Sequence, residues 1–285
     1  MSTSPYTQPP VEFTVRRSFA PRSISFHYAG TITETGIKTL VDDIQFGLTL
    51  YNPDLTSIHL QSPGGSIFAH QMQKWRRTGC NVATQAGIEC ASAAAMMVTL
   101  GSVGLRQAHP LSKLLFHNPR LMGRSVTMLE HDAEAVARTL KELRGRMHGL
   151  LEQHLVSSLG VIGFAHTLGS RARWLLNEEC AHAVSHLARY SYQESPLQGF
   201  LEPFGEWADM QVENEQAAMA MIEQWAAQID MLFRRDQLVD LRAAWVLLLI
   251  DTCDALPAML HTTTSTHREL LQESVHVQRH FSPAQ

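Results

Sequence analysis

The sequence is poor in several features that mark common protein classes. Only four of its 285 residues are cysteine (Cys80, Cys90, Cys180, Cys253), and no two form a Cys-x-x-Cys pair. That excludes a disulfide-built scaffold, which is short and cysteine-dense, and leaves free thiols in a reducing compartment. Charged residues make up only 18% and the net charge is -4, so no basic surface is on offer to nucleic acid. The longest apolar run, Ala243 to Ile250, falls far short of the roughly 18 residues that suggest a membrane span. Residues 1–22 are polar and carry prolines, without the apolar stretch of a secretory leader. These absences predict a cytoplasmic protein with neither a membrane nor a nucleic-acid partner. Fifteen histidines invite a metal reading, but there is no His-Glu-x-x-His. His182 and His186 stand at i, i+4 without a carboxylate partner, so no metal or cofactor is expected. No internal repeat is evident.

What is present is a chain that is 45% hydrophobic, enough for a sizeable core. Residues 1–22 read as a flexible arm. Strand patterns at Ser23–Tyr28, Ser57–Gln61, Asn81–Gln85 and Lys113–Phe116 are interleaved with helical ones at Glu34–Leu50 and Ile67–Arg77, the mark of an α/β unit with parallel strands. A long helix follows over about Thr127 to Ser157, with Val136, Leu140, Leu143, Met147 and Leu150 spaced 4, 3, 4, 3. So narrow a stripe suits packing on another helix, including one from a second subunit. Glu178 to Leu187 reads as a further helix. Pro196, Gly199, Pro203 and Gly205 make Glu194–Trp207 a linker, and helices are expected beyond it at Val212–Leu232 and Leu238–Leu256. The domain division that follows is a 1–22 arm, a 23–195 catalytic domain and a 196–285 linker with a helical extension.

The stretch Gly87 to Met97 reads as a strand end, a tight turn of small residues and a buried helix start, with Ser92 at the turn. A serine there has its hydroxyl held out by the bend and peptide N–H groups after it. A nucleophilic serine needs a base and oxyanion donors. His117, 25 residues on at the end of the next strand, is the candidate base, and Gly65 and Ala93 are the candidate donors. Cys90 reads as a small buried filler.

Gln61-Ser62-Pro63-Gly64-Gly65-Ser66, Ala91-Ser92-Ala93-Ala94 and Leu115-Phe116-His117-Asn118-Pro119, in this order and spacing, resemble the proteolytic subunit family of Clp protease. Arg144-Gly145-Arg146-Met147 and His154 resemble the family's long-helix segment, and the likeness covers about residues 23–190. The resemblance implies a crotonase-like α/β fold of repeated β-β-α units with a long oligomerisation helix, here with an appended C-terminal helical segment. It implies a serine endopeptidase acting on peptides or unfolded polypeptides inside a ring-shaped homo-oligomer. Substrate would lie along Gly64, Ser66, Ile67 and Phe68 on one side and Pro119 and Arg120 on the other.

Three departures stand out. Counting back from the Glu178–Leu187 helix to the expected triad acid lands near Ala172, where there is no carboxylate. That leaves a Ser-His dyad, a triad completed from elsewhere (Glu178 and Glu179 being nearest), or an inactive subunit with a structural or regulatory role. Residues 1–22 lack the family's axial-gate segment, which bears on docking to an AAA+ unfoldase. Residues 196–285 have no counterpart in the family, and Arg120 to Asp132 lacks its paired glycines. An acyl-CoA enzyme on the same fold is a further alternative, but it has no use for Ser92 and His117.

Overall fold

A computed structural model describes residues 14–20, 22–65, 81–117, 130–176, 201–234 and 237–253. Strands β2 (Ser23–Ala29), β3 (Leu55–Ser62) and β4 (Asn81–Ala91) are the parallel centre of an eight-stranded sheet. The alternation expected of half-buried strands is there: Ile24, Phe26 and Tyr28 face the core beside Ile58 and Leu60. Helix α1 (Glu34–Tyr51) buries Ile37, Leu40, Val41 and Ile44. Thr33 caps its start, accepting the Gly36 N–H at 3.0 Å. Asn52 ends it in the left-handed conformation at φ 42°, and Pro53 follows.

The length of β4 decides the rest. Thr84–Ala86 pairs with β5 (Arg106–Ala108), and farther along Glu89–Ala91 pairs with β6 (Lys113–Phe116) on the same edge. The sheet therefore divides into two arms, and α2 (Ala93–Thr99) follows directly from the end of β4. Each arm is extended by a strand from the C-terminal part of the chain. Strand β7 (Gln237–Val239) pairs antiparallel with β6, and β8 (Thr252–Cys253) pairs parallel with β5. A mixed α/β architecture with a largely parallel sheet thus agrees with the sequence reading.

Helices α3 (Glu130–Leu159), α4 (Val161–Leu176), α5 (Leu201–Asp209) and α6 (Glu215–Arg234) complete the body. Ala218, Ile222, Trp225, Ile229 and Leu232 of α6 are buried as their spacing predicts. Phe164 of α4 meets Trp225 edge-on at 5.0 Å, so the same hydrophobic core takes in residues before and after 195. No described helix is long and apolar enough to cross a membrane.

Several expectations need correction. Thr14–Ala20, read as part of a flexible arm, is strand β1, paired antiparallel with β2. Its order comes from long-range pairing, which local composition does not report. Part of the expected linker is α5. Pro203 sits in that helix's first turn, where its missing N–H has no partner to lose, and Phe204 and Trp207 are fully buried. The helix expected at Leu238–Leu256 is instead β7, a short α7 (Leu241–Val246), a turn with Leu248 at φ 60°, and β8. Residues 241–251 are all buried, and a run apolar on every side has no period to separate helix from strand and turn. Met147, expected between subunits, is buried in this chain's own core with Leu151 and Leu155, whereas Val136, Leu140 and Leu143 stay half-buried. The helices expected at Ile67–Arg77 and Glu178–Leu187 lie outside the described residues, and α4 was not expected.

Candidate active site

Strand β4 ends at Ala91 and α2 begins at Ala93, leaving Ser92 alone in the bend. Its backbone, φ 55° and ψ -120°, is one that a residue with a side chain adopts at a cost of order 1–3 kcal/mol, and only when its surroundings impose it. The surroundings do. The Ser92 N–H donates to the Leu115 carbonyl at 2.7 Å, and its own carbonyl accepts the Met96 N–H at 3.1 Å. Gly64 is pressed against it: a Cβ added to Gly64, at φ +97°, would stand 2.5 Å from Ser92 Cβ and 2.7 Å from the Ala91 oxygen. Gly65, at φ +148°, bridges to Ile32, and a Cβ there would stand 2.0 Å from the Ile32 oxygen. Both positions of the turn therefore require glycine. The Ser62 hydroxyl closes it, accepting the Gly64 N–H at 3.0 Å.

A serine at a helix N-cap usually spends its hydroxyl on an N–H of the first turn. Ser92 makes no such capping bond, and its side chain is half-buried rather than sealed. The hydroxyl is held at the helix start without serving the helix. Ala93, Ala94 and Ala95 behind it are buried, and their small size is what allows the bend to pack.

Register brings His117 to the same end of the sheet. Ala91 pairs with Leu115 in the last rung, so His117, half-buried, stands two residues past the rung that Ser92 directly follows. Phe116 beneath is wholly buried and meets Phe233 edge-on at 5.5 Å. Ser92, His117, Gly64, Gly65 and Ala93 therefore gather at the C-terminal end of the parallel strands. Ser66, Ile67, Phe68, Pro119 and Arg120, the other expected substrate contacts, lie outside the described residues.

Cys90 is not a competing nucleophile. Burial, reinforced by the charge of Glu89, pushes its thiol up to about 12, so it stays protonated and fills space.

The described residues do not decide among the alternatives for the triad acid. Ala172 is wholly buried in α4, and Glu178 and Glu179 lie outside the described residues. Asp251 is buried, but its oxygens are already taken. They accept from the Gly104 N–H (2.6 Å), from the Arg106 N–H (3.1 Å), Nε (2.8 Å) and Nη2 (2.6 Å), and from Arg171 Nη2 (3.3 Å). Burial alone would raise the Asp251 carboxyl, but the two guanidiniums outweigh it and hold the group below the usual carboxylate range. Asp236, which directly precedes β7 in the sequence, also lies outside the described residues. Leu114 pairs with Val239, Leu115 with Leu238 and Phe116 with Gln237, an antiparallel ladder that ends one residue before His117.

A model of the Clp protease family matches residues 27–182, more than half of the chain. The ATP-dependent Clp protease proteolytic subunit of Porphyromonas gingivalis is 30% identical over 102 residues, 34% of this chain and 44% of that protein. That of Bdellovibrio bacteriovorus is 25% identical over 128 residues, 43% and 59%. That of Bacteroides thetaiotaomicron is 31% identical over 100 residues, 34% and 44%. The chain spans about half the length of the curated relatives it matches. Taken with the Ser92 bend and the glycine turn against it, the match means that this chain belongs to the Clp protease family.

Proposed function

We propose that this protein is a serine endopeptidase that cleaves peptides or unfolded polypeptides, with Ser92 as nucleophile, His117 as base and Asp236 as the acid behind it. The observation that carries the reading is the Ser92 backbone, a costly conformation imposed from three sides at a strand end whose last rung, Ala91 with Leu115, lies two residues before His117. The β6–β7 ladder supports Asp236: Phe116 pairs with Gln237, and in the sequence His117 follows the one and Asp236 precedes the other.

In this mechanism His117 takes the Ser92 hydroxyl proton as the oxygen attacks the peptide carbonyl. Asp236 holds the imidazole in the productive tautomer and stabilises its cation. The N–H groups of Gly65 and Ala93 receive the oxyanion, the latter being one of the first-turn donors a helix leaves unpaired. The imidazolium then protonates the leaving amine, and water hydrolyses the acyl-serine by the same route in reverse. The family resemblance supports a homo-oligomeric ring with the sites facing a chamber. The exposed N-terminal half of α3, where Val136 and Leu140 interrupt a polar surface, is the element suited to contact a second copy.

A fluorophosphonate probe tests the proposal. Labelling mapped to Ser92 and lost in Ser92→Ala, together with peptide hydrolysis, is the expected result. An unlabelled wild type would mean a structural or regulatory subunit instead.

A further inference from the structure

The strain at Ser92 needs both ends of α2 to be fixed. The helix has only seven residues, so a shift at its last turn moves its first. Its final carbonyls do not go to solvent. The Val98 oxygen accepts from Thr84 Oγ1 at 2.7 Å, and the Thr99 oxygen accepts from Arg106 Nη1 at 3.1 Å. Arg106 is wholly buried, and its remaining donors engage Asp251. Asp251 also meets Arg171, whose Nη1 donates to the Trp245 and Ile250 carbonyls. The cluster holds two cations against one carboxylate, all with 0% side-chain exposure.

This surplus of one arginine is unusual inside a protein, where an ion pair alone already costs desolvation. The two arginines divide the work. Arg171 ties α4 to the turn after α7. Arg106 alone reaches α2. We propose that Arg106 is a positioning residue for the nucleophile: by gripping the Thr99 carbonyl from a buried anchor on Asp251, it holds α2 in the place that imposes the Ser92 conformation and aims the Ala93 N–H. The inference rests on Ser92 being the nucleophile.

The cluster supplies its own control. Arg106→Met leaves Asp251 paired with Arg171, and Arg171→Met leaves it paired with Arg106. Both variants remove one buried cation and end with balanced charge, but only Arg106→Met frees the Thr99 carbonyl. Three quantities are measured on the full chain: peptide-hydrolysis kcat and KM, the rate of fluorophosphonate labelling, and hydrogen exchange of residues 92–99 against α1. Arg106→Met should lower kcat and labelling on the order of 10- to 100-fold with little change in KM, the scale of small misplacements in an active site. It should also speed exchange across 92–99 but not in α1. Arg171→Met, even with a comparable fall in melting temperature, should retain kcat and the 92–99 protection. If Arg106→Met does not fold, Arg106→Lys keeps a cation beside Asp251 without the fork that reaches Thr99, and should show the same kcat loss. Equal kcat losses in the Arg106 and Arg171 variants, or unchanged exchange at 92–99 in the Arg106 variant, would overturn the proposal. If the wild type is not labelled at all, the nucleophile assignment is what fails, and the exchange measurement still decides whether Arg106 anchors α2.

Discussion

The two ends of α2 meet opposite demands. At the Thr99 end, Arg106, Asp251 and Arg171 are sealed from water, and both oxygens of the carboxylate are engaged by donors. At the Ser92 end, the side chain is half-buried, its hydroxyl makes no capping bond, and the backbone is held off its preferred conformation. On the assignment proposed above, saturated, buried charge anchors one end, and that anchor lets the other end keep Ser92 in a strained conformation. The arms of the sheet repeat the contrast. The β5–β8 arm leads to the ion cluster, the β6–β7 arm to His117, and both arms end in strands from the last third of the described chain.

The largest expected effect strikes the open end alone. Ser92→Ala should lower kcat on the order of 10⁶-fold, as loss of a nucleophile does where residues act as a unit. The melting temperature should barely change, because one oxygen is removed from a turn of small residues. Substantial residual turnover in steady-state assays would contradict the contrast between the two ends.

Asp236→Asn comes next. Loss of a triad acid costs on the order of 10⁴-fold in kcat. A Glu178→Gln, Glu179→Gln double variant should match the wild type in the same assay. The reverse pattern would move the acid to the 178–179 pair and leave β7 a purely structural strand.

Asp251→Leu attacks the sealed end. It leaves two buried guanidiniums without a counter-charge, and uncompensated buried charge of this kind costs roughly 3–5 kcal/mol. Denaturant unfolding should register that loss. A change under about 1 kcal/mol would mean that water reaches the cluster, and that the two ends of α2 differ less than their burial implies.

The smallest effect belongs to a site away from α2. His59 stacks on His27 at 4.1 Å across β2 and β3. Burial, with the neighbouring His27 charge, pulls its imidazole down to about 3 from 6.5. Above pH 6.5 neither the folded nor the unfolded form is protonated there, so nothing is lost. As pH falls from 6.5 toward about 3, the unfolded chain takes a proton that the folded chain refuses, and stability declines. Urea midpoints at pH 7 and pH 5 should differ less in His59→Asn than in the wild type. Asp251 behaves otherwise: its carboxyl lies below the usual range, so its contribution survives until pH falls below the ordinary carboxylate values near 4. The ion cluster should therefore outlast the histidine stack on acidification.

Much of the candidate site was legible in residue order. Gly64-Gly65, Ser92 and His117 declare themselves because each depends on local chemistry: a turn no side chain fits, a small-residue bend, a polar residue closing an apolar strand. The periodic helices α1 and α6 were equally plain, since a single buried face leaves a stripe. Where burial is complete the pattern vanishes. Residues 241–251 are covered on every side, and nothing in their order marks the break into α7, turn and β8.

The sequence by itself determined which residues could do the chemistry and where the chain must bend. Only the tertiary structure decided what stands beside them. That β6 takes β7 as its partner, and that Asp251 meets Arg106 from 145 residues away, depends on pairings between distant segments. Such pairings are chosen by the shape and hydrogen-bonding needs of a whole core, and no local window of sequence carries that information.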